Sequence, residues 1–235
     1  DVTAVHVRVP LERPYVISRG AMTAFDSLIV RVRAAGGLVG YGESVPLSVV
    51  GDPVALARLI NGPIAQALVG ADPFDVERLV MRAVELAGKD VDAVAGADLA
   101  LWDLIGQRLG QPVYRLLGGL CQDPIPVDYT IGALEPEAMA DVAARMHAEG
   151  FHGVVVKVTS ESVARDVERV RAVRSALPLH CTVRVDCNGG YNREEAFAFL
   201  KQIADLGIEF VEQPVAGRDL EGMRICRAFG VPISA

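Results

Sequence analysis

The chain has 235 residues, 51% of them apolar, a formal net charge of −7 and a mean hydropathy of +0.31. That composition excludes a disordered chain, which lacks the apolar residues for a core, and an acidic balance with no Lys/Arg run speaks against a nucleic-acid partner. Four cysteines (Cys121, Cys181, Cys187, Cys226) with no CxxC pair suit a reducing, cytoplasmic compartment; no apolar run reaches the ~18 residues of a membrane span, and DVTAVHVRVP lacks the regions of a signal peptide.

The chain opens with strands. HVRVPL (residues 6–11) alternates, and SLIVRVRAAGGLVGYGES (27–44) is two β-rich runs around Gly36-Gly37, a hairpin signal. Helical spacing follows at residues 52–70, 72–88 and 91–110, with Asp72-Pro73 as a start and Gly110 then Pro112 as a stop. These predict an α+β unit over residues 1–120.

From about residue 124 strands and helices alternate. Strands are expected at 125–132, 153–159, 181–190, 210–215 and from 231. Helices are expected at 136–150, 160–177, 192–207 (Asn192 as cap) and 219–230. The strands are near-continuous apolar runs, as buried parallel strands are. Thr130 to Lys157 is 27 residues, Lys157 to Asp186 is 29 and Asp186 to Glu212 is 26. That period predicts a (β/α) barrel over residues 121–235. A doubly wound sheet is the alternative, disfavoured because no GxGxxG opens the first helix.

Lys157, Asp186 with Asn188, and Glu212 stand at the C-terminal ends of three successive strands, where such barrels place active sites. Charged groups among valines need a partner or a metal. Two carboxylates on neighbouring strands call for a cation, and oxygen ligands without His or Cys point to Mg²⁺, with Mn²⁺ as the alternative. A lysine one strand earlier, beside that cation, is placed to act as a base. Singly, a strand-end lysine is usually a solvated tip and an Asp-x-Asn usually a turn; three such groups in matching register favour a site.

The motifs GLVGYGES (37–44), ADLALWDLIGQRLGQPVYRLLGG (97–119), YTIG (129–132), GFHGVVVKVT (150–159), VRVDCNGGYN (183–192) and EFVEQPV (209–215) together resemble the mandelate racemase and muconate-lactonising branch of the enolase superfamily. The resemblance spans nearly the whole chain. It implies a capping domain followed by a (β/α) barrel. It implies that Asp186 and Glu212 bind Mg²⁺ and that Lys157 removes the proton α to a substrate carboxylate, giving an enediolate. Asn188, beside the metal-binding strand, is expected either to support the metal ligands or to contact substrate; Thr130, at the end of the first barrel strand, and Arg19 are further candidate substrate contacts. Residues 17–25 and 46–52 match two loops that close over substrate; they are small and apolar apart from Arg19, which suggests a substrate with an apolar side. The implied activity is a racemase, epimerase or cycloisomerase. An acid-sugar dehydratase using the same half-reaction and a non-catalytic homologue are the alternatives. Family members are symmetric homo-oligomers, so a homo-oligomer acting on a small carboxylate is expected.

Two departures stand out. The family's Lys-x-Lys is Val155-Val156-Lys157 here, without the first lysine. The chain also ends at VPISA, before the acid that would be the third ligand and before the opposing acid/base group. Four and a half βα units do not close an eight-stranded barrel, so a piece of a longer protein is expected, as is upstream processing, since the chain begins at Asp1. Elsewhere, His6, His147, His152 and His180 show no mutual spacing, and metal ligation is not expected of them. Trp102 reads as core, Glu43 as structural, and Asp103 as pairing across the boundary between the two domains. The run 168–174 (ERVRAVR) reads as a solvated charged face.

Overall fold

A computed structural model describes residues 1–46 and 52–235. Of the expected loop at 46–52, residues 47–51 fall outside the described residues. The chain divides into two compact units, residues 1–12 with 24–123, and residues 13–23 with 124–235.

β1 (Val2–Ile17), β2 (Gly20–Arg33) and β3 (Val39–Ser44) form a three-stranded sheet in that order, which belongs to the first unit except for residues 13–23 around the β1–β2 turn. β2 and β3 pair antiparallel from Leu28↔Ser44 to Arg33↔Val39, the hairpin expected around Gly36-Gly37. Leu28, Val30 and Val32 are buried at every second position, the period of a one-sided strand. β1 is far longer than HVRVPL. Residues 17–25, expected as a loop, are the end of β1, a tight turn at Ser18-Arg19 and the start of β2.

The helices of this unit are α1 (Pro53–Leu59), α2 (Ala65–Leu68), α3 (Val76–Ala87), α4 (Asp92–Leu109) and α5 (Val113–Leu116). The single helix expected at 52–70 is broken by a wide turn over Ile60–Ile64. Pro63 lacks an N–H and crowds the preceding turn, which ends regular α-helix there. α3 starts later than Asp72-Pro73 implied: the Asp72 carboxylate accepts from the Phe74 N–H (3.0 Å), closing a separate turn before Asp75 leads into the helix. α4 stops at Gly110, left-handed at φ +62°, as expected. Gly40 and Gly42 let β3 lie directly on the α4 backbone, where a Cβ on either would overlap the carbonyls of Ala100 and Gly96. Ser44 Oγ then accepts from the Gly96 N–H (2.9 Å). The glycine-rich motif of β3 is therefore a packing motif.

In the second unit, β4 (Asp128–Ile131), α6 (Pro136–Ala148), β5 (Gly153–Lys157), α7 (Val163–Ala176), β6 (Thr182–Asp186), α8 (Arg193–Ile203), β7 (Phe210–Glu212), α9 (Leu220–Cys226) and β8 (Ile233–Ser234) alternate as predicted. The five strands form one parallel sheet in chain order, so the unit is α/β. Val154, Val156, Val183, Val185 and Val211 pack against Met139, Val170, Val173, Phe199 and Ile203 from the helices. Asn192 caps α8 in a reciprocal capping box with Glu195. Among the described residues, no helix is long and apolar enough to cross a membrane.

The solvated face expected at 168–174 is only partly solvated: Arg169 and Arg174 are buried. Arg169 donates to the Leu134 carbonyl (2.8 Å) and Asp166 (2.7 Å); the terminal nitrogens of Arg174 donate to the carbonyls of Cys181 (2.8 Å) and Leu177 (3.0 Å), while its Nε has no partner among the described residues. The partners of Asp103 among the described residues lie in the first unit, whereas a pair across the domain boundary was expected: it accepts from the Tyr41 N–H (2.8 Å) and Gln107 (3.1 Å). Glu43 likewise stays in the first unit, bonded to Ser27, and Trp102 packs against that unit's core.

Candidate active site

Lys157, Asp186 and Glu212 are the last residues of β5, β6 and β7, and they are register neighbours: Lys157 opposite Asp186, Asp186 opposite Glu212. Register partners in a parallel ladder project to the same face, so the three charged groups form one row. Ser234 extends the row onto β8. Lys157 forms an ion pair with Asp186 and donates to Asn188 Oδ1 at 3.3 Å. Asp186 is 3% exposed. A carboxylate that deep must be paired and hydrogen-bonded, and Asp186 also accepts from the Asn188 backbone N–H (2.8 Å) and side-chain amide (3.0 Å).

The loops leaving these strands are held in unusual conformations. Among the described residues, the non-glycine residues with positive φ are Ser160 (+63°), Asn188 (+48°) and Gln213 (+42°). Each lies just past a strand end of the row. Such conformations cost on the order of 1–3 kcal/mol each and persist only where the surroundings enforce them.

Two groups of contacts do the enforcing. Beneath the loops, fully buried Asp166 accepts from the backbone N–H groups of Thr159 (3.2 Å) and Ser160 (3.0 Å), from Arg169 and from the Tyr191 hydroxyl (2.7 Å). It thus ties the loop after β5 to the loop after β6. Burial and then the charge of Asp166 push the Tyr191 phenol far up, so it remains a donor. Above them lies the turn at residues 18–19. Ser18 Oγ donates to the Cys187 carbonyl (3.0 Å), and Arg19 donates to the carbonyl of Asn188 (3.3 Å) and to Gln213 (3.5 Å). Gly190 fits between Ser18 and Ser160, each of whose Cβ atoms would lie 2.8 Å from an added methyl group.

Of the residues singled out from sequence, the fold therefore gathers Lys157, Asp186, Glu212, Asn188 and Arg19. Thr130 is not in the row. It pairs in register with Val155, two residues back along the strand from Lys157, so it lies one layer lower on the same face. Arg184 shares that layer with Val155. It is ion-paired with Asp128 and Glu209 and stacked over Phe210 at 5.1 Å, so a cation already neighbours the position of the missing lysine. Sequence reasoning passed over Asp166, Arg169, Tyr191 and Ser18, while Gln213, with Pro214 after Glu212, was part of the signal at the strand end. It also passed over Tyr15, whose phenol is pushed up to about 12 by burial and by the charge of Asp186. Tyr191 stood inside a quoted motif; Asp166 and Arg169 carry no signal beyond a charged helix.

The donor set of the row is all oxygen: two neighbouring carboxylates, with the Asn188 amide beside them. That chemistry fits a hard divalent cation such as Mg²⁺ and lacks the nitrogen or sulfur that Zn²⁺ prefers. Asp186 and Glu212 are the residues that would hold it. Concavities of about 590 and 670 Å³ lie in the first unit, and no paired carboxylates line them. The chemistry is concentrated at the strand ends instead.

Residues 1–118 match the mandelate racemase / muconate lactonizing enzyme N-terminal domain, and residues 138–235 match the enolase C-terminal domain-like family. The N-succinyl-L-Arg/Lys racemase of Bacillus cereus is 33% identical over 233 residues, which cover 97% of this chain and 63% of the racemase. The hydrophobic dipeptide epimerase of Enterococcus faecalis is 34% identical over 227 residues, 95% of this chain and 64% of the epimerase. The crystal structure of a dipeptide epimerase from Enterococcus faecalis, complexed with Mg and the dipeptide L-Leu-L-Tyr, matches with a TM-score of 0.88 at 31% identity, over 99% of this chain and 66% of that one. The chain thus spans a little under two thirds of the length of these curated relatives.

Proposed function

The chain belongs to the mandelate racemase / muconate lactonizing enzyme branch of the enolase superfamily, and from that premise we propose that it is part of a Mg²⁺-dependent isomerase that removes the proton α to a substrate carboxylate. In this reading residues 1–120 are the capping domain, and residues 121–235 contribute strands to a (β/α) barrel. The observation that carries the reading is the in-register row Lys157–Asp186–Glu212.

Lys157 Nζ is the base: it is on the face shared with both carboxylates and is tethered through Asp186 and Asn188. Asp186 and Glu212 would hold a Mg²⁺ ion, which supplies positive charge where the substrate carboxylate gains electron density. Asn188, fixed by its two bonds to Asp186, presents its amide beside the row. Arg19, on the turn bonded to the Asn188 and Gln213 loops, presents a second cation to an anionic substrate. Four unpaired thiols fit a reducing compartment, and we take the protein to be a cytoplasmic homo-oligomer.

The relatives' names make N-acylated amino acids and apolar dipeptides the first substrates to try. The test is exchange of the α-hydrogen for deuterium in D₂O, with and without Mg²⁺, across such a set of carboxylates. Exchange is expected with at least one class, dependent on the metal, and is expected to fall by about 10²–10⁴-fold in Lys157→Ala, the contribution of a positioned base. Exchange that survives in Lys157→Ala overturns the assignment.

A further inference from the structure

The carboxylate row occupies the C-terminal ends of the strands; the other end of the sheet carries a different cluster. His147 lies in the last turn of α6, and His180 and Cys181 immediately precede β6. Their ligating atoms all lie within 4.8 Å of one another, the one group of three or more His, Cys, Asp or Glu side chains with that geometry among the described residues. Cys181 Sγ is 3.2 Å from His147 Nδ1. The two imidazoles meet edge to face, with ring centroids 5.9 Å apart. Two of the four histidines thus meet in space although the sequence shows no mutual spacing among them.

Three features make the cluster a site rather than a chance meeting. The first is its donor set: two imidazoles and one thiol are soft-to-borderline ligands, the opposite of the all-oxygen row. The second is its spacing. A tetrahedral ion with Zn–N near 2.0–2.1 Å and Zn–S near 2.3 Å needs donor atoms about 3.4–3.7 Å apart. The Cys181–His147 pair, at 3.2 Å, must open by a few tenths of an ångström, and the other pairs, all within 4.8 Å, must close by no more than about 1.4 Å, a range side-chain rotation covers. The third is its support. The buried Arg174 guanidinium gathers the carbonyls of Leu177, Pro178 and Cys181, and the Cys181 N–H donates to the Pro178 carbonyl (3.0 Å). The loop bearing two of the three ligands is thereby fixed from inside. Cys181 is buried, His147 half-buried and His180 exposed, so the cluster runs from the interior to the surface, where an ion can reach it.

We propose that His147, His180 and Cys181 form a binding site for a soft divalent transition-metal ion of the Zn²⁺ type, distinct from the carboxylate row, that clips the end of α6 to the start of β6. The probe is Co²⁺ added to the reduced full chain. A cobalt–thiolate site gives a near-ultraviolet charge-transfer band that carboxylate ligands cannot give, so the row does not interfere. The expected result is that band at one equivalent, displaced by Zn²⁺, retained in Asp186→Asn, and lost in both Cys181→Ser and His147→Gln. Cys181→Ser keeps the side-chain volume, and His147→Gln leaves the thiol in place, so a folding defect in one is checked against the other by circular dichroism. α-Hydrogen exchange is expected to be unchanged in both variants, which separates this site from the proposed activity. Absence of the band in the wild-type chain, or a band that survives Cys181→Ser, overturns the proposal.

Discussion

Asp186 is the most constrained residue of the row, because a carboxylate 3% exposed has its polar atoms held by protein donors: Lys157 and the backbone and side-chain amides of Asn188. The same logic applies one layer deeper at Asp166, which is wholly buried and answers to Arg169, Tyr191 and two backbone N–H groups. Asp166→Ala strands the Arg169 guanidinium and is expected to cost about 3–5 kcal/mol. Tyr191→Phe removes one of four donors and is expected to cost about 1–3 kcal/mol. Urea unfolding measures both, and equal losses would mean that Asp166 is not the hub. Val155, where the resemblance led to an expected lysine, offers a second test at the scale of one residue. A lysine there would lie on the same face as Lys157, beside Arg184. Like charges on one face favour the neutral base, so Val155→Lys is expected to move the acid limb of the exchange-rate profile to lower pH. An unmoved profile with every active substrate would show that Arg184 already fills that electrostatic role. Of the site, Lys157, Asp186 and Glu212 were legible in the sequence because each interrupts a valine-rich run at a regular interval. Asp166 and Arg169 were not, because on a helix a buried ion pair is spelled like a solvated one.

Helix ends follow local chemistry. Asn192 with Glu195 and Asp219 with Gly222 cap α8 and α9 from residues at the helix start. Asp219 also joins the two helices, pairing with Arg193 at the beginning of α8 (2.7 Å from Nε). The Arg193 bonds and the Gly222 N–H hold the Asp219 carboxyl at about 2, below its ordinary 3.8. A depressed carboxyl stabilises the fold above its ordinary value, and that contribution fades as pH falls from about 4 to about 2. Asp219→Asn keeps the cap and removes the charge. Its urea midpoint is expected to lie below wild type at pH 7, with the gap closing across that window; a gap unchanged at pH 2 would refute the pairing. The element boundaries that the sequence misplaced have equally local causes. Gly62-Pro63 broke an apolar pattern that remained periodic on either side. Asp72 formed a turn of its own before the helix. The length of β1 escaped notice because its exposed stretch carries no one-sided alternation.

At the scale of the molecule, the parallel order of β4 to β8 converts a chain interval into a spatial row. If Asp186 and Glu212 take up Mg²⁺ as proposed, folding and metal binding are linked. Mg²⁺ at a hundredfold its dissociation constant is expected to add about 2.7 kcal/mol of stability, read as a rise in melting temperature that Asp186→Asn abolishes; a rise that persists in that variant would place the ion elsewhere. The sequence by itself determined the α/β alternation, the ends of most helices, and the alignment of Lys157, Asp186 and Glu212. Strand periodicity and repeat spacing are local, and in a parallel sheet equal spacing becomes equal register. Only the tertiary structure decided what meets across elements. Tyr191 reaches Asp166 from 25 residues away, Cys181 reaches His147 from 34, and Arg19 reaches Asn188 from 169. Such pairs obey no period: they form because a helix packs on a strand, or a hairpin turn on two loops, at a place fixed by the whole core.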